Sequence, residues 1–170
     1  SRSWRDHRVG ALAVVNALGD VVAGTGRILA GAVGPDGEFL GSDDQLLRGM
    51  TPGEFSDAGG REAPDSRQNP IPGSNTTLVV VGTDLPLSRV ELGRLARMAA
   101  GAFPRAISPV NTPFDGDILF ALSSGEEAGA LSPGEMLALG VVARAVAEEA
   151  IRRAVSQEFR DDRQREEGGI

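Results

Sequence analysis

The 170-residue sequence predicts a mixed α/β architecture in which helices pack on sheets. Two observations carry this expectation. Two apolar runs of strand length, TTLVVVGTD at 76–84 and DILFALS at 117–123, are each followed by a segment of helical periodicity. Each of those segments opens with a capping box, S-x-x-E. The resulting order is strand, strand, long loop, strand, helix, strand, helix, without an internal repeat.

Each element has its own local reason. VGALAVV at 9–15 is an apolar run of strand length, and Asn16-Ala17-Leu18-Gly19-Asp20 supplies turn residues before the β-rich Val21-Val22, which predicts a hairpin. From Gly24 to about Ser74, Gly, Pro, Asp and Ser are dense, with apolar islands only at 28–32, 39–40 and 46–47, so most of this stretch is expected to be loop. The run at 76–84 is β-branched and continuous, the pattern of a strand buried on both faces. Ser88 and Glu91 then open a helix over 88–102, with Leu92, Leu95, Ala96, Ala99 and Phe103 on one face. After SPVNTPFDG at 108–116 comes the strand at 117–123. Ser132, with Pro133 in the first helical position and Glu135 in the third, opens an Ala-rich helix expected to reach about Phe159. Its apolar stripe passes through Leu139, Val142, Val146, Ala150 and Ala154. The charged tail RDDRQREEGGI is expected to fray from about residue 160.

Composition then removes whole classes of function. The chain carries 24 acidic and 17 basic residues, a net charge of −7, and every basic residue but His7 is arginine. Phosphate binding needs a positive face, and no arginine cluster is interleaved with aromatics, so no nucleic-acid partner is expected. No run of about 18 apolar residues occurs, and SRSWRDHRV lacks the apolar stretch of a signal peptide, so no membrane partner and a cytoplasmic location are expected. The absence of cysteine removes disulfides, thiolate metal sites and thiol nucleophiles. The single His7, near the start, cannot supply a Ser-His-Asp triad, and there is no lysine to act as a base.

Three constellations still carry chemistry. A loop ends in Gly73-Ser74-Asn75, and Thr76 begins the strand. Cutting the Asn75-Thr76 bond would set a free α-amine, with a pKa of about 7.7–8.0, beside the Thr76 hydroxyl, a nucleophile and base that need no histidine. The same residues also form an ordinary junction between loop and strand. Second, Asp115-Gly116-Asp117 places two carboxylates on one face of a strand start, with a glycine between them that lets another backbone come close. Such a pair holds an ammonium, orients a hydroxyl or trades a proton; the alternative reading is an Asp-Gly turn. Third, the Asn16 amide stands where it could donate to an oxyanion, or simply mark a turn.

Taken together, VNALGDVV at 15–22, GSNTTLVVVGTDLPLS at 73–88 and PVNTPFDGDILFALS at 109–123 resemble the P1 (S58) family of self-processing peptidases. That family includes the β-peptidyl aminopeptidases, the D-aminopeptidases of the same fold and the nylon-oligomer hydrolases. The resemblance covers most of residues 8–155 in the same order. It implies an αββα sandwich, of the type shared with ornithine acetyltransferases, in which one precursor cuts itself into α and β subunits that stay together. On that basis residues 1–75 would be the C-terminal part of the α subunit and 76–170 the β subunit, the N-terminal part of the sandwich lying upstream with its catalytic lysine. Asn75 would end the α subunit, and Thr76 would begin the β subunit as nucleophile. Asn16 falls at an oxyanion-hole or substrate-orienting position, and Asp115 and Asp117 match the pair that hydrogen-bonds the nucleophile in the nylon hydrolases. Asn111 stands where relatives often have histidine. The implied activity is amide hydrolysis on small peptides or linear amide oligomers, by a homo-oligomer of αβ units, with no metal or organic cofactor. Two other readings are a non-catalytic module for binding or assembly and an ornithine acetyltransferase-like acyl transfer. The Ala-Thr-Met-Leu context of the latter is absent here.

Overall fold

The computed structural model describes residues 1–56, 75–126 and 130–167. In chain order its elements are β1 (Arg2–Trp4), β2 (His7–Val14), β3 (Asp20–Val22), β4 (Ile28–Ala30), α1 (Ser42–Leu47), α2 (Pro52–Ser56), β5 (Leu78–Thr83), α3 (Arg89–Ala99), a 3-10 turn (Ala100–Ala102), α4 (Phe103–Ala106), β6 (Ile107–Ser108), β7 (Ile118–Ser123) and α5 (Pro133–Glu167). The mixed α/β expectation holds. The chain divides into two compact units, each drawing on sequence from both sides of the Asn75-Thr76 bond.

The first unit comprises residues 1–14, 78–103 and 118–151. Its sheet runs β1-β2-β5-β7, antiparallel at the first two pairings and parallel between β5 and β7. A parallel pair needs a crossover, and the connection containing α3 supplies it. The start of α3 is the capping box read from the sequence: Glu91 N–H donates to Ser88 Oγ, and the Glu91 carboxylate accepts from Ser88 N–H at 2.9 Å. Ser132 and Glu135 repeat the arrangement at the start of α5. The core combines Val9, Val79 and Val81 of the sheet with Leu95 and Ala99 of α3 and Leu139, Ala143 and Ile151 of α5.

Among the described residues only one face of this sheet is covered, so the burial expected on both faces of the 76–84 run is corrected. Val79, Val81 and Thr83 are buried, whereas Leu78 is exposed, and its neighbours Leu12, Val14, Ile118, Phe120 and Leu122 are exposed with it. An apolar residue at every position satisfies either arrangement; the covering layer decides which one forms.

The second unit comprises residues 15–77, 104–117 and 152–170. Its sheet runs β4-β3-β6. The expected hairpin between 9–15 and 21–22 is not formed: β2 pairs with β1 and β5, and β3 pairs with β4 and β6. β2 finds six consecutive partners on β5, far more than the three residues of β3 could offer. The hairpin lies one connection later, closed by a turn in which Ala23 N–H donates to Arg27 C=O. The expected loop from Gly24 thus contains β4 and the short helices α1 and α2, and its 57–74 portion lies outside the described residues. Arg152 of α5 donates to the carbonyls of Val22 and Arg105, tying this unit's strands to its helix. α5 itself continues to Glu167 through the segment expected to fray; arginine, glutamine and glutamate are good helix formers, and 168–170 lie outside the described residues. Its buried stripe of Leu139, Ala143, Val146, Ala147 and Ile151 shares Leu139 and Val146 with the expected one.

Candidate active site

All five residues singled out for chemistry, Asn16, Asn75, Thr76, Asp115 and Asp117, belong to the second unit, and main-chain hydrogen bonds gather them. Asn75 forms a parallel bridge with Asp115: its N–H donates to Phe114 C=O at 3.2 Å, and its carbonyl accepts from Gly116 N–H at 2.7 Å. The backbone that pairs with this segment is that of Asn75, through the Gly116 N–H. Thr76 N–H donates to the main-chain carbonyl of Asn16 at 2.7 Å. Asn75 and Thr76 are half-buried, while Asn16 is exposed.

The two carboxylates have different settings. Asp115 Oδ2 accepts from Thr112 N–H at 2.8 Å while Asp115 N–H donates to Thr112 C=O at 3.1 Å, so it closes a turn. Asp117 Oδ1 accepts from Thr77 N–H at 2.6 Å. Burial pushes the Asp117 carboxyl above its ordinary value; the bond from the Thr77 amide opposes that shift, and the charge of Asp115 adds to it. Asp117 and Asp115 thus each accept from a threonine amide, of Thr77 and Thr112. A half-buried carboxyl of raised pKa beside a second carboxyl is suited to taking and returning a proton.

Three further residues, which lie within the quoted motifs but were not singled out for chemistry, pack in the same unit. Gly19 passes so close to the chain at 108–109 that a Cβ there would lie 2.1 Å from the Pro109 carbonyl oxygen. Only glycine lets the Asn16 turn approach that loop. Asp20, buried at the start of β3, accepts from Ser42 N–H at 2.6 Å and Ser42 Oγ at 2.9 Å, fixing the segment that follows β4. Thr77 gives its N–H to Asp117, and its hydroxyl is buried without a hydrogen-bond partner among the described residues. The signals for Gly19 and Thr77 are a missing side chain and a backbone amide, neither of which has a residue pattern.

The first unit offers a groove of about 220 Å³ between α3 and α5, lined mainly by apolar side chains such as Met98, Leu131 and Met136. Its carboxylate, Glu91, is already occupied by Ser88 and by the Leu131 N–H. It has no reacting group to spare.

No helix among the described residues is long and apolar enough to cross a membrane.

The chain is similar to known proteins along most of its length. An uncharacterized aminopeptidase of Mycobacterium tuberculosis is 37% identical over 153 residues, covering 81% of this chain and 40% of the relative. One from Mycobacterium leprae is 36% identical over 117 residues, covering 69% of this chain and 29% of the relative. The 6-aminohexanoate-oligomer endohydrolase of Paenarthrobacter ureafaciens is 27% identical over 159 residues, covering 88% of this chain and 41% of the enzyme. The chain thus spans well under half the length of these curated relatives. Among solved structures, a Burkholderia β-aminopeptidase aligns over 86% of this chain and 40% of its own, at 21% identity and a TM-score of 0.43. Above all, the family model described as peptidase family S58 matches residues 1–160, and the chain belongs to that family.

Proposed function

We propose that this chain is the catalytic portion of a self-processing amide hydrolase that cleaves its own Asn75-Thr76 bond and then uses Thr76 as an N-terminal nucleophile. The observation that carries the reading is the gathering of Asn16, Asn75, Thr76 and the Asp115/Asp117 pair around one peptide bond. In self-cleavage the Thr76 hydroxyl attacks the Asn75 carbonyl, giving an ester that water opens. The freed α-amine, with a pKa of about 7.7–8.0, then serves as the base near neutral pH. Asp117 and Asp115 orient the ammonium and the hydroxyl, and the Asn16 amide steadies the oxyanion of the substrate.

The substrates are small peptides or linear amide oligomers, by analogy with relatives named as aminopeptidases and as a 6-aminohexanoate-oligomer endohydrolase. Residues 1–75 and 76–170 would fall in separate α and β subunits that stay together, in a cytoplasmic homo-oligomer. One observation favours a second reading. The uncovered apolar face carrying Leu12, Phe120 and Leu122 would equally suit a non-catalytic assembly module.

Intact mass of the purified full-length protein, beside its Thr76→Ala variant, separates the two. Two fragments meeting at Asn75/Thr76 in the wild type alone are expected. A single uncut mass in both would overturn the hydrolase reading and leave the assembly module.

A further inference from the structure

The peptide that joins Asn75 to Thr76 is held at both of its polar atoms. Its carbonyl oxygen accepts from Gly116 N–H at 2.7 Å, and its N–H donates to the Asn16 carbonyl at 2.7 Å. The bridge between Asn75 and Asp115 keeps the register of the β5/β7 ladder, but the ladder is interrupted between them. The Asn75/Asp115 bridge is isolated, and at Thr77 the amide turns to the Asp117 side chain instead of to main chain. Among the described residues one main-chain donor is therefore aimed at the carbonyl that Thr76 would attack.

The geometry points to Gly116 N–H as the oxyanion donor of self-cleavage, a role that rests on the self-processing reading above. As the bond from Thr76 Oγ to the Asn75 carbonyl carbon forms, the carbonyl π electrons move onto the oxygen that already accepts from Gly116. The donor is in place before reaction, so no reorganisation is needed as charge develops. The tetrahedral species then expels the Thr76 nitrogen, which takes the proton released by Oγ. The Asn75-Thr76 ester and a free amine result, and water hydrolyses the ester to the Asn75 carboxylate and the regenerated Thr76 hydroxyl. Before cleavage that nitrogen is held by the Asn16 carbonyl. The glycine of Asp-Gly-Asp thereby gains a chemical role distinct from its flanking carboxylates.

A side-chain substitution leaves an N–H in place, so the test replaces the Gly116 amide by an ester, with glycolic acid incorporated at 116 in the full-length protein. The rate of appearance of the fragment beginning at Thr76 should fall by about 10²–10³-fold, the loss typical of one oxyanion-hole donor. The same replacement at Gly37, whose N–H donates to Gly34 C=O at 3.0 Å far along the chain, costs one main-chain hydrogen bond and should leave the rate within about twofold of wild type. Cleavage of the 116 ester protein at the wild-type rate would overturn the role of Gly116 while leaving self-processing intact. An uncut wild type would instead overturn the self-processing reading itself. A second measurement needs no ester: in the Thr76→Ala protein, ¹⁵N at Gly116 and ¹³C at the Asn75 carbonyl should show scalar coupling across the hydrogen bond. Absence of that coupling in a folded protein would also overturn the assignment.

Discussion

The glutamates that start α3 and α5 and the aspartate that precedes β7 are the same functional group held in opposite ways. Glu91 and Glu135 lie near the surface, and each accepts from a serine hydroxyl and from that serine's own N–H. Those bonds hold both carboxyls below their ordinary value, Glu135 at about 2, with Arg5 adding to the effect there. Asp117 also accepts from an amide, yet burial dominates and its carboxyl is raised. A carboxylate that is hydrogen-bonded in water stays ionised and builds structure. One that is hydrogen-bonded but desolvated, beside a second carboxylate, is poised to exchange a proton.

The largest expected effect tests that contrast directly. Asp117→Asn keeps an oxygen for the Thr77 amide but removes the ionisable group, and self-cleavage should slow by about 10²–10⁴-fold, the usual contribution of a positioned acid or base. Glu91→Gln, the matching change at a helix start, should leave the rate of cleavage unaltered. Equal rates for the two variants, followed by intact mass over time, would erase the distinction between the regions.

Next in size is the contrast between two glycines. A methyl group on Gly19 meets the Pro109 carbonyl at 2.1 Å, so Gly19→Ala must push the Asn16 turn away from its neighbour. A displacement of that order should slow cleavage by about 10²-fold through misplacement alone. Gly93 lies on the exposed side of α3, where an added Cβ would meet nothing within 4 Å. Gly93→Ala should raise stability by about 0.5–1 kcal/mol in thermal unfolding and leave cleavage unchanged.

The pH dependence separates the regions by sign. Asp117 is raised, so its ionisation costs stability as pH rises from the ordinary 3.8 through the folded value, and the acid limb of the cleavage rate should lie above 3.8. Asp115→Asn removes one cause of the rise and should move that limb toward lower pH. A limb unmoved in Asp115→Asn would show that burial alone tunes Asp117.

What can be read from the sequence follows the range of the interactions. Both capping boxes are legible because every partner lies within three residues, and the start of each helix follows from them. The pairing of β2 with β5 is not, because the competing turn at Asn16–Asp20 looks equally good locally and the true partner lies more than 60 residues away. The site divides in the same way. Thr76, Asp115, Asp117 and Asn16 announce themselves by side-chain type and by their linked motifs. Gly116 N–H and the Asn16 carbonyl are backbone groups, identical in every residue that could stand there, and only the fold shows where they point. The oxyanion role expected of the Asn16 side chain is thus joined by a main-chain contact to Thr76 that no motif encodes.

The helix starts bear on stability and leave cleavage untouched. Ser88→Ala should cost about 0.5–2 kcal/mol of stability, the range for loss of an N-cap hydroxyl, with no change in cleavage. Its counterpart Ser132→Ala carries a pH signature as well. Glu135 is depressed from 4.5 to about 2, so its contribution is present above the ordinary value and is lost as pH falls between those limits. The difference in melting temperature between wild type and Ser132→Ala should therefore be widest near neutral pH and narrow on acidification through that window. The ionisation of Asp117 works in the opposite direction and lies above 3.8, so cleavage and stability should respond to acid as separate titrations. A stability difference that stayed constant from neutral pH down to about 2 would mean that the Ser132 hydroxyl acts on the helix alone, without help from the charge of Glu135.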